Sequence, residues 1–332
     1  MKKKLLKRLL SIGLVSMMTV SLAACGSSGG GSEEESGNGE SEGKDVKVGF
    51  VISDMSDAFF AHLVQRLEEY SKEIGVTFTA TECPEIGDKV TGIENFVQSN
   101  CDAIICHVTD AEALKDAALS AEEAGVKFIS YDSDIEGTSG FIGVDNYKYG
   151  YEIGKNACEW INENFDESEK VQVGVCNYPD YPFLVTREEG IIAALDELAP
   201  NAEVVVSAKA GYTPEGVDVG DAWVQSNPDL NVVVGINDAG VLGVYETFNA
   251  AGIEGDKLGM FGGDAVEDAL AALQAGGTFR GTVSTEMLPN AEKFIDMAVE
   301  LAEKGEVEER ELYFPMKAVT KDNVEEVIAE QE

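Results

Sequence analysis

The sequence predicts an α/β fold built on parallel sheets, with enough residues for two domains. Short runs rich in β-branched residues alternate with longer stretches of helical period. The short runs are apolar almost throughout, as in strands that helices cover on both faces. The chain has 332 residues, which corresponds to about two domains of roughly 150 residues each.

The alternation can be followed along the whole chain. The predicted strands are Val46–Ile52, Val76–Ala80, Ala103–Cys106, Lys127–Tyr131, Gly140–Ile142, Val171–Val175, Glu203–Ser207, Val232–Gly235, Leu258–Phe261 and Gly281–Ser284. The predicted helices are Phe59–Ile74, Lys89–Ser99, Ala111–Ala124, Tyr147–Asn164, Val185–Leu198, Pro214–Gln225, Ala239–Ala250, Val266–Ala275 and Pro289–Lys304. Several of these helices end at a glycine, the usual terminator, at Gly75, Gly125, Gly252 and Gly276.

The charge of the chain is strongly acidic, with 24 Lys and Arg residues, 62 Asp and Glu residues and a formal net charge of -38. Nucleic acid and anionic membrane surfaces would repel such a chain, so we expect neither as a partner. Hydrophobic residues make up 44% and charged residues 26%, as in an ordinary globular protein. The two histidines, His62 and His107, are far apart in sequence, so we predict no metal site, and we predict no cofactor.

The first residues have the pattern of an export signal. Lysines and Arg8 precede the apolar run Leu9–Ala24, which is too short for a confident membrane span of about 20 residues. The run ends in Leu22-Ala23-Ala24-Cys25-Gly26, which resembles the lipobox of bacterial lipoproteins. That resemblance implies a signal peptide over residues 1–24, cleavage before Cys25 and a diacylglyceryl group on the Cys25 sulfur. A plain secretory signal with an incidental cysteine is the alternative.

Residues 25–45 are dominated by Gly, Ser and Glu. They contain too little apolar surface to offset the entropy of ordering, so we predict a flexible acidic linker with a reach of about 25 Å. A lipid on Cys25 and such a linker describe a soluble body that touches the cell membrane through its lipid anchor only. The sequence therefore predicts a lipid-anchored protein facing outside the cytoplasm.

Polar and aromatic side chains follow the predicted strands, at the carboxyl ends where parallel sheets bind ligands. These candidates are Asp57, Phe59, Phe60, Asp132, Asp134, Arg187, Tyr212, Asn237, Asp264, Thr285 and Glu286. Carboxylates and amides can bind the hydroxyl groups of a neutral polyol, while flat rings cover its C–H faces. The set therefore predicts a binding site for an uncharged polyhydroxylated molecule.

Four segments carry a resemblance to a known family: Asp57–Phe60, Phe128–Asp134, Gly235–Asp238 and Gly262–Asp264. In these segments the chain resembles the periplasmic-binding-protein type I group, the sugar-binding components of ABC transporters. The resemblance covers nearly the whole mature body. It implies two Rossmann-like α/β lobes with parallel sheets, joined by a three-segment hinge, that clamp a sugar between them.

The resemblance also implies the organisation and the partners of the chain. We expect the N-terminal lobe at residues 46–144 plus 287–314 and the C-terminal lobe at residues 145–286 plus 315–332. The protein is expected to be a monomer and not an enzyme. It would capture a monosaccharide or similar polyol and deliver it to the permease and ATPase subunits of an ABC transporter.

In the N-terminal lobe, the resemblance implies a role for each candidate. Phe59 and Phe60 match rings that sandwich the sugar, although both could be ordinary core at a helix start. Asp132 matches an acid that binds sugar hydroxyls, and a turn former or helix cap is the alternative. Ribose binders carry arginine after this acid, whereas this chain has Ser133 and then Asp134, which favours autoinducer-2 or deoxysugar binders.

In the C-terminal lobe, Arg187 matches an arginine that opens a helix and binds a hydroxyl or ring oxygen. A surface ion pair with a nearby glutamate is the alternative for this residue. Asn237 and Asp264 match the amide and carboxylate of this lobe, and Tyr212 matches a ring that covers the other face of the sugar.

Other features leave the specificity open. Thr285 aligns with a hinge-side amide of ribose binders, and Glu286 could substitute for that amide. The segment Tyr178–Phe183 offers extra rings that could reshape the pocket. We expect His107 to line the cleft or to cap the third helix.

Two other functions compete with sugar uptake. A sensory lipoprotein that presents bound sugar to a receptor kinase or chemoreceptor would share the same pocket. The pair Asp132-x-Asp134 superficially resembles the first motif of haloacid-dehalogenase-like phosphatases. In those enzymes the motif lies on the first strand, whereas here it follows the fourth, so a phosphatase is the lesser alternative.

Overall fold

The computed structural model describes residues 46–331, so the predicted signal peptide, Cys25 and the acidic linker lie outside the described residues. The strands are β1 (Lys47–Ile52), β2 (Thr77–Glu82), β3 (Ala103–His107), β4 (Lys127–Tyr131), β5 (Gly140–Gly143), β6 (Val171–Asn177), β7 (Ala202–Lys209), β8 (Val232–Gly235), β9 (Gly259–Phe261), β10 (Phe279–Ser284), β11 (Glu311–Tyr313) and β12 (Lys317–Thr320).

The helices are α1 (Ala58–Ile74), α2 (Ile86–Gln98), α3 (Ala111–Glu123), α4 (Asn146–Asn164), α5 (Pro182–Leu198), α6 (Thr213–Ser226), α7 (Asp238–Ala250), α8 (Glu267–Ala275), α9 (Glu292–Lys304) and α10 (Val324–Gln331). A short 3-10 helix, Leu288–Asn290, precedes α9. The four glycines predicted to end helices all have positive φ angles, which confirms that prediction.

The strands form two six-stranded sheets with equivalent strand orders. The first has the order β11-β5-β4-β3-β1-β2 and the second has the order β12-β10-β9-β8-β6-β7. Each sheet is wound from its own run of alternating strands and helices, which makes the carboxyl ends of its central strands meet at one edge. The fold is therefore two α/β lobes, as the sequence predicts.

Three segments connect the two lobes and form the hinge. The chain leaves the first sheet after Gly143, returns to it after Ser284, and leaves it again after Tyr313. Thr285 and Phe314, which begin the second and third connections, are buried.

The C-terminal elements differ from the sequence-based expectation. The sequence does not predict β11, β12 or α10, because these strands have only three and four residues and lack a continuous apolar run. The expectation of wholly parallel sheets is wrong for β12, which pairs with β10 in the antiparallel direction. The reason is that β10 ends at the hinge and β12 begins there, so the two strands run in opposite directions.

The apolar side chains form two core clusters. The smaller cluster fills the space between the first sheet and the helices α2 and α3. The larger cluster includes the core of the second lobe and the inner side of the first, with Tyr149 and Ile153 of α4 among its members. Within residues 46–331, none of the helices is both long enough and apolar enough to pass through a membrane.

Candidate ligand-binding cleft

A cleft lies where the carboxyl ends of both sheets meet the hinge. It encloses about 690 Å³ of empty space, part of which is open to solvent. Its lining residues are Asp57, Phe59, Phe60, His107, Tyr131, Asp132, Val144, Tyr149, Tyr178, Tyr181, Phe183, Leu184, Arg187, Gly211, Tyr212, Ile236, Asn237, Asp264, Thr285 and Met287. Nine of the eleven candidates from the sequence are therefore brought together at one place.

Aromatic rings from both lobes form the walls of the cleft. The rings of Phe59 and Phe60 meet edge to face with centroids 5.7 Å apart, and Phe60 lies 4.9 Å from the imidazole of His107. In the second lobe, Tyr181 and Phe183 stack with centroids 5.7 Å apart. Phe183 also reaches across to the first lobe, 6.3 Å from His107. The cleft therefore offers flat apolar surfaces that could cover C–H faces of a ligand.

Asp57 caps the first helix of the first lobe. Its Oδ1 accepts hydrogen bonds from the backbone N–H groups of Phe59 and Phe60, at 3.0 and 3.2 Å. Burial raises the pKa of Asp57 to about 6, and the charge of Asp264 on the second lobe adds to the increase. The negative charge of Asp264 therefore acts on the Asp57 carboxyl group across the cleft.

Asp132 directly follows β4 and has a φ of 70°, which is uncommon for a residue other than glycine. It is thus a turn former, and its carboxylate also lines the cleft. Its Oδ2 lies 3.2 Å from Nε2 of His107, the last residue of the neighbouring strand β3. His107 lines the cleft, which confirms one of the two expectations for it, while Asp110 caps the third helix.

Arg187 is buried, with 6% of its surface exposed. Its Nε and Nη2 donate to Asn146 Oδ1 at 3.0 and 2.8 Å, and its Nη1 donates to the carbonyl of Ile236 at 2.9 Å. The alternative of a surface ion pair is wrong, because no carboxylate of residues 46–331 forms a salt bridge with the guanidinium. Three of the five N–H donors are used, so two remain for a ligand.

Asp264 follows β9 with a φ of 100°. Its Oδ1 accepts a hydrogen bond from the hydroxyl of Tyr149 at 2.8 Å, and the guanidinium of Arg187 lies over the Tyr149 ring at 4.3 Å. Burial raises the pKa of Asp264, and the nearby Arg187 opposes that increase. The cleft therefore contains a partly buried acid and a buried arginine on the same lobe.

Asn237 has a structural role besides its place in the cleft. Its Oδ1 accepts from the backbone N–H of Gly240 and caps α7, while its Nδ2 donates to the carbonyl of Gly211 at 2.8 Å. Tyr212 follows Gly211 and meets the ring of Tyr178 edge to face, with centroids 5.7 Å apart. The amide thus joins two loops of the second lobe and keeps part of its hydrogen-bonding capacity for a ligand.

Two candidates lie outside the cleft lining. Asp134 forms a two-pronged ion pair with Arg310, with Nη2 to Oδ1 at 2.6 Å and Nη1 to Oδ2 at 3.0 Å. Glu286 occupies the hinge with a φ of 50° and is absent from the lining, although its neighbour Thr285 is part of it. The structure therefore does not bring Asp134 and Glu286 into the cleft lining with the other nine candidates, and Arg310 binds the Asp134 carboxylate instead.

The sequence did not point to Asn146 and Tyr149, which hold Arg187 and Asp264 in place. Both lie in α4, the first element after the hinge, and Tyr149 is fully buried. The signal that could have found them is polarity at positions of α4 that share a face with its apolar residues. Within residues 46–331, no group of three or more His, Cys, Asp or Glu side chains could hold a metal ion.

Comparison with known proteins adds the family. Residues 48–306 match a family model described as periplasmic binding protein domain. The chain belongs to the periplasmic binding proteins. The two lobes with mostly parallel sheets have the type I fold of this family. This family consists of extracytoplasmic solute-binding proteins rather than enzymes.

Curated relatives cover most of the chain at low identity. A putative rhizopine-binding protein of Rhizobium meliloti is 25% identical over 289 residues, which are 84% of this chain and 91% of that protein. A ribose import binding protein of Bacillus subtilis is 25% identical over 235 residues, which are 70% of this chain and 73% of that protein.

Solved structures show the same fold. A solute-binding protein of Actinobacillus succinogenes with bound D-allose is 22% identical, with a TM-score of 0.76, and the match covers 85% of this chain and 99% of that chain. A solute-binding protein of Bacillus halodurans with bound myo-inositol is 23% identical, with a TM-score of 0.76, and the match covers 86% of this chain and 98% of that chain.

Proposed function

We propose that this periplasmic binding protein is a membrane-anchored lipoprotein that captures a monosaccharide or similar polyol and delivers it to an ABC permease. The observation that carries the proposal is the convergence of unlike groups from both lobes on one cleft. Asp57 and Asp132 come from the first lobe, and Arg187 and Asp264 come from the second. Aromatic rings complete the walls between them.

The chemistry of these groups suits neutral hydroxyls. A hydroxyl can donate to a carboxylate and accept from the guanidinium, and each such hydrogen bond to a charged group contributes about 1.5–3 kcal/mol. A micromolar dissociation constant corresponds to about 8 kcal/mol, so a handful of these bonds suffices. Relatives whose names refer to ribose and rhizopine, and structures with bound D-allose and myo-inositol, support this class of ligand.

The two-lobed geometry supports capture by closure. A sugar that docks on one lobe gains hydrogen bonds from the other only when the lobes approach. These extra contacts exist in the closed form alone, so they bias the equilibrium toward closure. We place the lobe boundaries at residues 144/145, 286/287 and 314/315, in line with the three connections between the sheets.

The ligand class can be tested by a thermal-shift screen with pentoses, hexoses, deoxysugars, inositols and autoinducer-2. A tight ligand raises the melting temperature by mass action. An increase with a saccharide or polyol, lost in the Asp264→Asn variant and retained in Asp134→Asn, is the expected result. The absence of any increase, together with turnover of phosphate esters, would favour the enzyme alternative.

The lipid anchor is a separate part of the proposal and rests on the lipobox-like segment around Cys25. Replacement of Cys25 by Ser removes the sulfur that would carry the lipid. We expect the Cys25→Ser variant to be found in the soluble fraction, while the parent fractionates with membranes. Membrane association of both proteins would contradict lipidation.

A further inference from the structure

A lysine is completely buried beneath the cleft. Lys89 of α2 has 0% of its surface exposed, and its Nζ donates to Ser53 Oγ at 2.6 Å. No carboxylate of residues 46–331 forms a salt bridge with it, and its titratable neighbours are the thiols of Cys83 and Cys106 and the imidazole of His107. Because a buried cation without a counter-charge is costly, such a lysine calls for a functional explanation.

The register of the first sheet brings Ser53 next to His107. In the pairing of β1 with β3, Val51 lies opposite Cys106. Ser53 directly follows β1 and His107 is the last residue of β3, so the two residues are close at the carboxyl ends of these strands. Ser53 Oγ lies 2.7 Å from His107 Nδ1, and both side chains are buried. Ser53 Oγ therefore links Lys89 Nζ to the imidazole of His107.

The far side of the imidazole reaches the cleft. His107 Nε2 lies 3.2 Å from Asp132 Oδ2, although it is not aligned well enough for a strong hydrogen bond. His107 and Asp132 both line the cleft, whereas Lys89 and Ser53 do not. The four side chains thus form a row that runs from the buried side of α2 to a candidate ligand-binding carboxylate.

The donors in this row have a fixed direction. Burial lowers the pKa of Lys89, but both forms of the amine carry hydrogens. With Nζ donating to Ser53 Oγ, the single hydrogen of the serine is available for His107 Nδ1. Burial lowers the pKa of His107, so the ring is neutral and carries one N–H. With Nδ1 accepting, that N–H must be on Nε2, which faces Asp132.

We propose that Lys89, acting through Ser53, holds His107 in the Nε2–H tautomer and thereby presents an N–H to the carboxylate of Asp132 at the cleft. Lys89 and Ser53 are positioning residues in this arrangement, since neither touches the cleft. Asp132 Oδ2 faces the imidazole at 3.2 Å, and its other oxygen is left for a hydroxyl of the ligand. Only this last step depends on the proposed sugar-binding function.

Nitrogen-15 NMR of the imidazole tests the tautomer without any ligand. The chain contains two histidines, so a His62→Gln background leaves His107 as the only imidazole signal. In this background we expect an unprotonated Nδ1 and a protonated Nε2 at neutral pH. A protonated Nδ1 in the otherwise unchanged protein would overturn the proposal, whether or not any variant of Lys89 folds.

Two further variants identify the cause of the tautomer. Lys89→Met keeps the length of the side chain but removes the donor, and we expect a mixture in which the Nδ1–H form grows several-fold. Lys72→Met, the same change at an exposed lysine of α1, should leave the spectrum unchanged. An unaltered His107 spectrum in folded Lys89→Met would overturn the role of Lys89, and Ser53→Ala offers the same test if Lys89→Met does not fold.

Titration calorimetry then connects the tautomer to binding. With D-ribose and myo-inositol as probes, we expect Lys89→Met to lose about tenfold in affinity and Lys72→Met to bind like wild type, since a tenfold change corresponds to about 1.4 kcal/mol. A shifted tautomer with unchanged affinity for a probe that binds would overturn the positioning role. If neither probe binds wild type, the proposed ligand class is challenged, and the NMR experiment still decides the tautomer.

Discussion

The two lobes place an acid at equivalent positions of equivalent sheets but support it in different ways. Asp132 follows β4 of the first sheet, and Asp264 follows β9 of the second. Both have positive φ angles, a conformation that persists only where the surroundings impose it. The equivalent strand orders therefore explain where the acids lie, but they do not explain what holds them.

The supporting groups are of opposite type. In the first lobe, Asp132 faces His107, which is linked through Ser53 to the buried amine of Lys89. In the second lobe, Asp264 accepts from Tyr149 and lies close enough to the fully buried Asp238 for their charges to interact. Burial raises the pKa of Asp238 well above its usual range, and the charge of Asp264 adds to this increase. Asp238 Oδ2 accepts a hydrogen bond from Thr282 Oγ1 at 2.9 Å.

The helices also pack differently in the two lobes. In the second lobe, glycines of neighbouring helices lie against backbone atoms, with Gly150 next to the carbonyl of Arg187. In the first lobe, Gly92 of α2 lies against the side chains of Cys83 and Val51. A shift of backbone is harder to accommodate than a shift of a side chain. The second lobe therefore fixes its site through close helix contacts, and the first fixes it through buried side chains.

The largest effect is expected where this contrast is strongest. A Cβ at Gly150 would overlap the carbonyl oxygen of Arg187, so Gly150→Ala must separate α4 from α5. We expect a loss of about 3 kcal/mol or more in the free energy of unfolding, measured by urea denaturation. Gly87→Ala in α2 of the first lobe is the control, because nothing lies within 4 Å of its Cβ position. Equal stability of the two variants would refute the contrast.

The next effect concerns the two acids. Asp132→Asn and Asp264→Asn keep the shape of the side chain and tolerate a positive φ, but they remove the charge. Each variant should bind the saccharide with the largest thermal shift about 10- to 100-fold more weakly by calorimetry, since a charged hydrogen bond contributes about 1.5–3 kcal/mol. Asp134→Asn lies outside the cleft and should bind within about twofold of wild type. If only Asp134→Asn weakened binding, the assignment of Asp132 and Asp264 as the ligand-binding acids would be wrong.

The smallest effect links the two lobes through charge. The pKa of Asp57 is raised to about 6, so the folded protein takes up a proton on this group at a higher pH than the unfolded chain does. Stability contributed by Asp57 is therefore highest at low pH and declines as the pH rises from about 4 to about 6. Asp57→Asn can still cap α1 but does not titrate. We therefore expect the free energy of unfolding of this variant, measured by urea denaturation, to increase relative to that of wild type as the pH rises from about 4 to about 6.

A second variant separates burial from the charge across the cleft. Because Asp264 contributes to the raised pKa of Asp57, Asp264→Asn should shift the pH-dependent decline to a lower pH. An unchanged pH profile in Asp264→Asn would show that the two lobes do not sense each other's charge.

Much of the site follows from the order of strands and helices. Parallel strands end at one edge of a sheet, so the order of elements alone predicts that residues following them, such as Asp57, Asp132 and Asp264, share one cleft. Asp132 and Asp134 show where this reasoning stops. The two acids are two positions apart, yet only Asp132 faces the cleft, because Arg310 binds Asp134 from a distance of 176 residues along the chain.

Local sequence is enough to predict the alternation of strands and helices, the four helix ends marked by glycine and the chemical character of the strand ends, because these depend on neighbours within a few residues. The tertiary structure decided which polar groups meet: Tyr149 with Asp264, Asn146 with Arg187, and Lys89 with His107 through Ser53. Such contacts depend on strand order and on helix packing across the hinge. The local sequence pattern does not predict these polar contacts, because the partners come together only when both sheets have formed.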